Sequence, residues 1–198
     1  MAVFKPFKAL RPTEEYASRV AALPYDVMNS DEAREMVKGN PYSFLHVDKA
    51  EIDLEKGVDL YSDEVYQKAK ENLEKLEKES IMKQDEKSCF YIYRQIMNGR
   101  EQTGLVGCAS IDDYINNEIK KHELTRADKE ADRINHVDYC DANTGPIFLT
   151  YREDDFINTT VENWKLHSLL KVRKCHREQR LVDDYHPQQL HAALFANF

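Results

Sequence analysis

No stretch of the chain approaches the 18 or more apolar residues of a membrane-crossing helix. The start, MAVFKPFKALRPTEEY, also lacks the long apolar run of a secretory leader. There is no CxxC pair. Cys89, Cys108, Cys140 and Cys175 lie far apart, which removes zinc-ribbon and dithiol redox motifs and points to free thiols in a reducing, cytoplasmic compartment. No HxxxH or HExxH spacing supports a metal centre, and no Walker-type loop or GxGxxG supports ordinary nucleotide-fold chemistry. Basic residues are the minority, 28 against 36 acidic for a net charge of −8. That balance argues against a sequence-independent nucleic-acid binder, which needs a broad basic face. Internal repeats, low-complexity tracts and Gly/Ser linkers are absent as well.

What remains is a chain of 198 residues, long enough for one sizeable core. Val3 to Leu10 reads as a short extended piece ended by Arg11-Pro12. The run Val20 to Val27 suggests a second, buried strand with Pro24 at an edge or bend. Asn29 precedes Glu32 by three residues, a capping box, and Gly39-Asn40-Pro41 stops the short helix it opens. Ser43 to Val47 is a further strand candidate. The next helix is capped by Ser62, opens on Asp63 and Glu64, and carries Tyr66, Ala69, Leu73 and Leu76 on one apolar face. Two β-rich runs, about 88–97 and 100–111, flank Asn98-Gly99, the signal of a hairpin with a type I′ turn. In that register Tyr93 faces Gly104, Phe90 faces Gly107 and Cys89 faces Cys108.

The chemistry concentrates in the stretch Lys121 to Val137. Thr125 with Asp128 predicts a helix start, and Ala127, Ala131, Ile134 and Val137 predict a narrow inward seam. Arg126, Lys129, Arg133 and His136 recur at i, i+3, i+7 and i+10, a basic stripe on one helical face. Such a stripe can hold a phosphate or carboxylate, Arg through its fork and Lys as a point charge. The competing reading is a solvated face whose charges pair with Glu130 and Asp132. Asn143-Thr144-Gly145-Pro146 is a turn able to present backbone N–H groups to the same ligand. Glu123, beside His122, is the candidate general base.

Five blocks taken together carry a resemblance. They are Leu23 to Val27, Asn40 to Val47, Lys121-His122-Glu123 with Thr125-Arg126, Lys129 to Arg133 with His136, and Asn143 to Tyr151. In that order and spacing they resemble the bacterial and archaeal family known as domain of unknown function 1015, most clearly over residues 3–152. The resemblance implies similarity to the ParB/sulfiredoxin superfamily, which includes nucleotide-dependent kinases of free serine. It also implies that the basic helix sits near a nucleotide or phosphorylated substrate. Family members run to about twice this length and carry an Asp-Gly-His-His-Arg motif, which this chain stops short of at Phe198. An incomplete continuation over residues 153–198, and a piece inactive alone, are therefore expected.

The expected fold is α+β, with a mixed sheet, a prominent hairpin and packed helices, over a family-like core of residues 1–152. The expected function is the N-terminal part of a phosphotransferase-like enzyme acting on a small hydroxylated metabolite such as serine. Glu123 would orient the hydroxyl, and Arg126, Lys129, Arg133, His136, His122 and Asn143 would bind phosphate or substrate. ATP or ADP with magnesium is the implied donor. The alternative is a non-catalytic module that senses a phosphorylated ligand. A small-molecule or nucleotide ligand is the expected partner, with no membrane, nucleic acid disfavoured and a homo-oligomer compatible.

Overall fold

In the computed structural model, which describes residues 2–97, 99–121 and 124–167, the chain opens with strands β1 (Phe4–Lys5) and β2 (Leu10–Pro12). Helix α1 (Ala17–Val20) and a 3₁₀ turn at Tyr25–Val27 come next. The strand expected across residues 20–27 does not form. Val20 ends a helix, and Pro24, which has no N–H for a ladder, heads the 3₁₀ turn instead. Helix α2 (Ser30–Met36) starts on the expected capping box: the Glu32 N–H donates to Asn29 Oδ1 at 3.0 Å and the Asn29 N–H to Glu32 Oε2 at 2.8 Å. Gly39, at φ +75°, supplies the left-handed residue after it.

The strand expected at Ser43 to Val47 is likewise replaced, here by helix α3 (Leu45–Asp48). Phe44, Leu45 and Val47 are all buried, and a short apolar run buried on every side carries no period that separates strand from helical turn. A second 3₁₀ turn, Ala50–Asp53, leads towards helix α4 (Asp63–Lys78). The expected face of α4 is buried as Tyr66, Ala69, Leu73 and Leu76, with Val65 added. Ser62 stands at the N-cap but its hydroxyl makes no cap bond. Strand β3 (Met82–Gln84) then pairs antiparallel with β2. Leu10, Val20, Phe44, Val47, Leu73 and Met82 form the heart of one core. Burying each such side chain is worth about 1.5–3 kcal/mol.

The hairpin forms in the expected register. Strands β4 (Tyr91–Met97) and β5 (Arg100–Val106) pair antiparallel from Tyr91↔Val106 to Met97↔Arg100, with Tyr93 opposite Gly104. Gly99 has the φ of +76° that the turn needs, while Asn98 lies outside the described residues. Beyond Val106 the expected pairing is lost. Strand β6 (Cys108–Ala109) pairs with β1, and Cys89 bridges Phe7, so Cys89 and Cys108 are not partners; both are exposed free thiols. Gly107 explains the departure. A Cβ there would lie 2.7 Å from the Phe4 ring and 2.9 Å from the Lys5 carbonyl oxygen, so only glycine lets β1 approach. Phe4 stacks on Phe90 with ring centroids 5.5 Å apart.

Helices α5 (Ile111–Ile115), α6 (Ala127–Cys140) and α7 (Asp155–His167) complete the described chain. The α+β class holds, with one correction: the described strands form three separate two-stranded antiparallel pairs in place of one mixed sheet. The described residues divide into two compact units, one of residues 2–9, 85–97, 99–121, 124–125 and 148–167, the other of residues 10–84 and 126–147. Among the described residues no helix is long and apolar enough to cross a membrane.

Candidate functional site

Helix α6 faces the opposite way from the seam its apolar residues predict. Ala127, Ala131, Ile134 and Val137 are exposed, whereas Asp132, His136 and Cys140 (at i, i+4 and i+8) are buried. The polar side turns inward because α4 and α3 offer it partners. The Tyr66 hydroxyl donates to Asp132 Oδ1 at 3.0 Å, and the Tyr66 and Tyr139 rings lie 5.5 Å apart. His136 Nε2 donates to the Val47 carbonyl oxygen at 3.1 Å, with Thr144 Oγ1 3.4 Å from Nδ1. Asp132 and His136 are thus hydrogen-bonded, which makes their burial tolerable. The helix starts at Ala127 with Arg126 at the N-cap and no side-chain cap, so the capping box expected from Thr125 is absent.

The stripe divides accordingly. Arg126 is exposed and pairs with Asp128 at 2.7 Å, as a solvated face would have it. Arg133 is different. Its guanidinium pairs with Asp132 at 3.0 Å and stacks 4.3 Å from the centroid of the Tyr25 ring, with its side chain one-third exposed. Lys129 donates to the Tyr61 hydroxyl at 3.0 Å, and among the described residues it forms no ion pair with a carboxylate. That bond holds its pKa above the ordinary lysine value, so it stays charged. Desolvation, reinforced by the nearby Arg133 charge, lowers the pKa of His136, which keeps the ring neutral. His136 therefore anchors structure here and adds no cation to the stripe.

Lys129 and Arg133 meet Tyr25, Tyr61, Asp132 and Asp48 around one cavity of about 70 Å³. Asp48 ends α3, and part of the residue reaches solvent while protein encloses its carboxyl. Burial pushes that carboxyl up to about 7, against the opposing pull of the Arg133 guanidinium and a hydrogen bond from Thr144. Lys49, also on the cavity, is committed to Glu51 at 3.0 Å, and Glu51 in turn accepts from the Ser30 hydroxyl at 2.7 Å. Burial likewise drives the Cys140 thiol up to about 12, with the Asp48 charge adding to the effect, so it is inert as a nucleophile. The volume falls well below the roughly 300–1,000 Å³ of a drug-sized ligand site. It suits a few waters or the charged end of a metabolite.

Of the residues expected from sequence, the structure brings together Lys129, Arg133 and His136. Arg126 stays at the surface, and Asn143 is exposed, its side chain accepting from the Gly145 N–H at 3.4 Å. Glu123 and His122 lie outside the described residues. Sequence reasoning missed Asp48, Thr144, Tyr25 and Tyr61. Tyr25 and Thr144 fall within the blocks that carried the family resemblance, and Asp48 follows one directly, which is the signal that would have found them. Among the described residues no three His, Cys, Asp or Glu side chains converge to hold a metal.

A family model described as Protein of unknown function (DUF1015) matches residues 4–196, and the chain belongs to that family. No curated protein and no solved structure matches the chain.

Proposed function

We propose that this DUF1015 protein binds a small hydroxylated metabolite through its phosphate or carboxylate, as a phosphotransferase-related enzyme of the cytoplasm. The observation that carries the reading is the cavity on which Lys129 and Arg133 converge, with Tyr25, Tyr61 and Asp48 beside them. Phosphoryl transfer asks a protein for cations that hold phosphate and a carboxylate that orients a hydroxyl, and both residue types are present. The charged end of a metabolite such as phosphoserine suits the volume; a whole nucleotide does not. ATP or ADP with magnesium is the donor this reading implies; Glu123, expected from sequence to orient the acceptor hydroxyl, lies outside the described residues. Similarity to the ParB/sulfiredoxin-like serine kinases belongs to the same proposal.

A second reading, a non-catalytic sensor of a phosphorylated ligand, has one observation in its favour. Arg133 is already held in place by Asp132 and Tyr25, a preformed anchor that needs no catalytic partner. Two measurements separate the readings. Calorimetric titration with phosphoserine tests the site, and Lys129→Ala should weaken binding by roughly tenfold. Lys129 is the cleaner probe, since removing Arg133 would strand the buried Asp132. Turnover of ATP or ADP with serine, measured on a full-length version beside this chain, then tests catalysis. Binding without turnover selects the sensor, and no binding by the wild-type chain rejects both.

A further inference from the structure

The cavity combines two features that conflict unless a proton intervenes. Lys129 and Arg133 attract an anion, yet Asp48 lines the same 70 Å³ and would repel that anion if ionised. We propose that Asp48 acts as a neutral carboxylic acid that donates a hydrogen bond to the bound oxyanion, so that anion binding takes up one proton from solvent. The inference rests on the anion-binding reading above and deepens it by naming the protonation state in which the site works.

The surroundings of Asp48 support this assignment element by element. From α6, the Arg133 guanidinium favours its ionised form, but Asp132 already shares that charge at 3.0 Å. His136 on the same helix is neutral, and Cys140 is a thiol far from ionisation, so neither supplies a compensating charge. From the loop after α6, Thr144 hydrogen-bonds the carboxyl. Next along the chain, Lys49 is neutralised by the buried Glu51. From the 3₁₀ turn, Tyr25 has a pKa raised by burial and stays protonated; from α4, Tyr66 is likewise raised and donates to Asp132. At the rim, Tyr61 accepts from Lys129. No full cation is thus left over to pair with an ionised Asp48 once an anion occupies Lys129 and Arg133. The balance is simple: ionised Asp48, one proton and the free anion give the neutral acid with the anion bound.

Sulfate is the appropriate probe, because its own charge is constant between pH 5.5 and 8.5. Calorimetric titration of the full chain with sulfate, across that range and in buffers of different ionisation enthalpy, reads both affinity and proton uptake. The expected result is affinity nearly level below pH 7 and falling roughly tenfold per pH unit above it, with close to one proton taken up per sulfate at high pH. Asp48→Asn, which keeps the shape and a hydrogen-bond donor, should show level affinity throughout and bind more tightly than wild type at pH 8.5. Wild-type affinity that does not change with pH overturns the inference and leaves the anion site standing. A slope that persists in Asp48→Asn also overturns it, since another group then carries the proton. No sulfate binding by either protein at any pH rejects the anion-binding reading itself.

Discussion

Replacing Asp48 by asparagine should stabilise the protein at alkaline pH and leave it nearly unchanged in acid. The carboxyl titrates at about 7 in the folded chain against an ordinary value of 3.8. A pKa raised on folding means that the native state binds the proton more tightly. The stabilisation this brings is fully present below pH 3.8 and is lost as pH rises through 7. Between pH 5 and pH 8 wild type traverses about two units of that window, worth at most about 3 kcal/mol. Because part of Asp48 reaches solvent, the expectation is trimmed to about 2 kcal/mol. Urea unfolding followed by circular dichroism at both pH values, on wild type and Asp48→Asn, measures it. The variant's advantage should grow by that amount from pH 5 to pH 8. His46 and His136 titrate in both proteins, so their contributions cancel in the difference. Parallel pH profiles for the two proteins would refute the reasoning, because Asp48 would then be an ordinary surface carboxylate.

Two further outcomes follow from other parts of the fold. His46 Nδ1 lies 2.9 Å from Asp53 Oδ1 and Nε2 lies 3.2 Å from the Asn40 carbonyl oxygen, so both ring nitrogens face acceptors; the bond to Asp53 leads the causes that raise its pKa. His46→Gln should therefore cost most below pH 6.5, about 1.5–3 kcal/mol, with the cost shrinking as pH climbs through the raised value; a pH-independent loss in denaturant titrations would contradict this. Gly107→Ala should destabilise the unit that holds the hairpin by about 1–3 kcal/mol, since the Cβ meets Phe4 and a backbone oxygen, and a melting temperature equal to wild type would show that β1 and β6 do not pack this closely.

Sequence periodicity revealed those parts of the fold whose pattern has one physical solution. The hairpin register followed from Asn98-Gly99 and from Tyr93 facing Gly104, because a one-residue slip would move every side chain to the other face. The Asn29–Glu32 cap and the face of α4 were legible for a similar reason. Residues 20–27 and 43–47 were not, since short buried apolar runs look alike in strands and helical turns. The candidate site was half visible. Lys129 and Arg133 stood out by spacing, but the orientation of α6 was hidden, because Tyr66 and the Val47 carbonyl, both distant in sequence, draw its polar side inward. Asp48 gave no signal of its own. An aspartate at the end of a four-residue helix looks like any surface carboxylate until the elements around it are assembled.

If Lys129 and Arg133 form the anion end of a small-metabolite site, a crystal structure of the full chain grown with phosphoserine will show it. The phosphate should lie in the cavity, bonded by Lys129 and Arg133, with Arg133 still stacked on Tyr25 and a hydrogen bond from Asp48 to a phosphate oxygen. A cavity holding only solvent at saturating phosphoserine, or phosphate bound elsewhere on the chain, would contradict it.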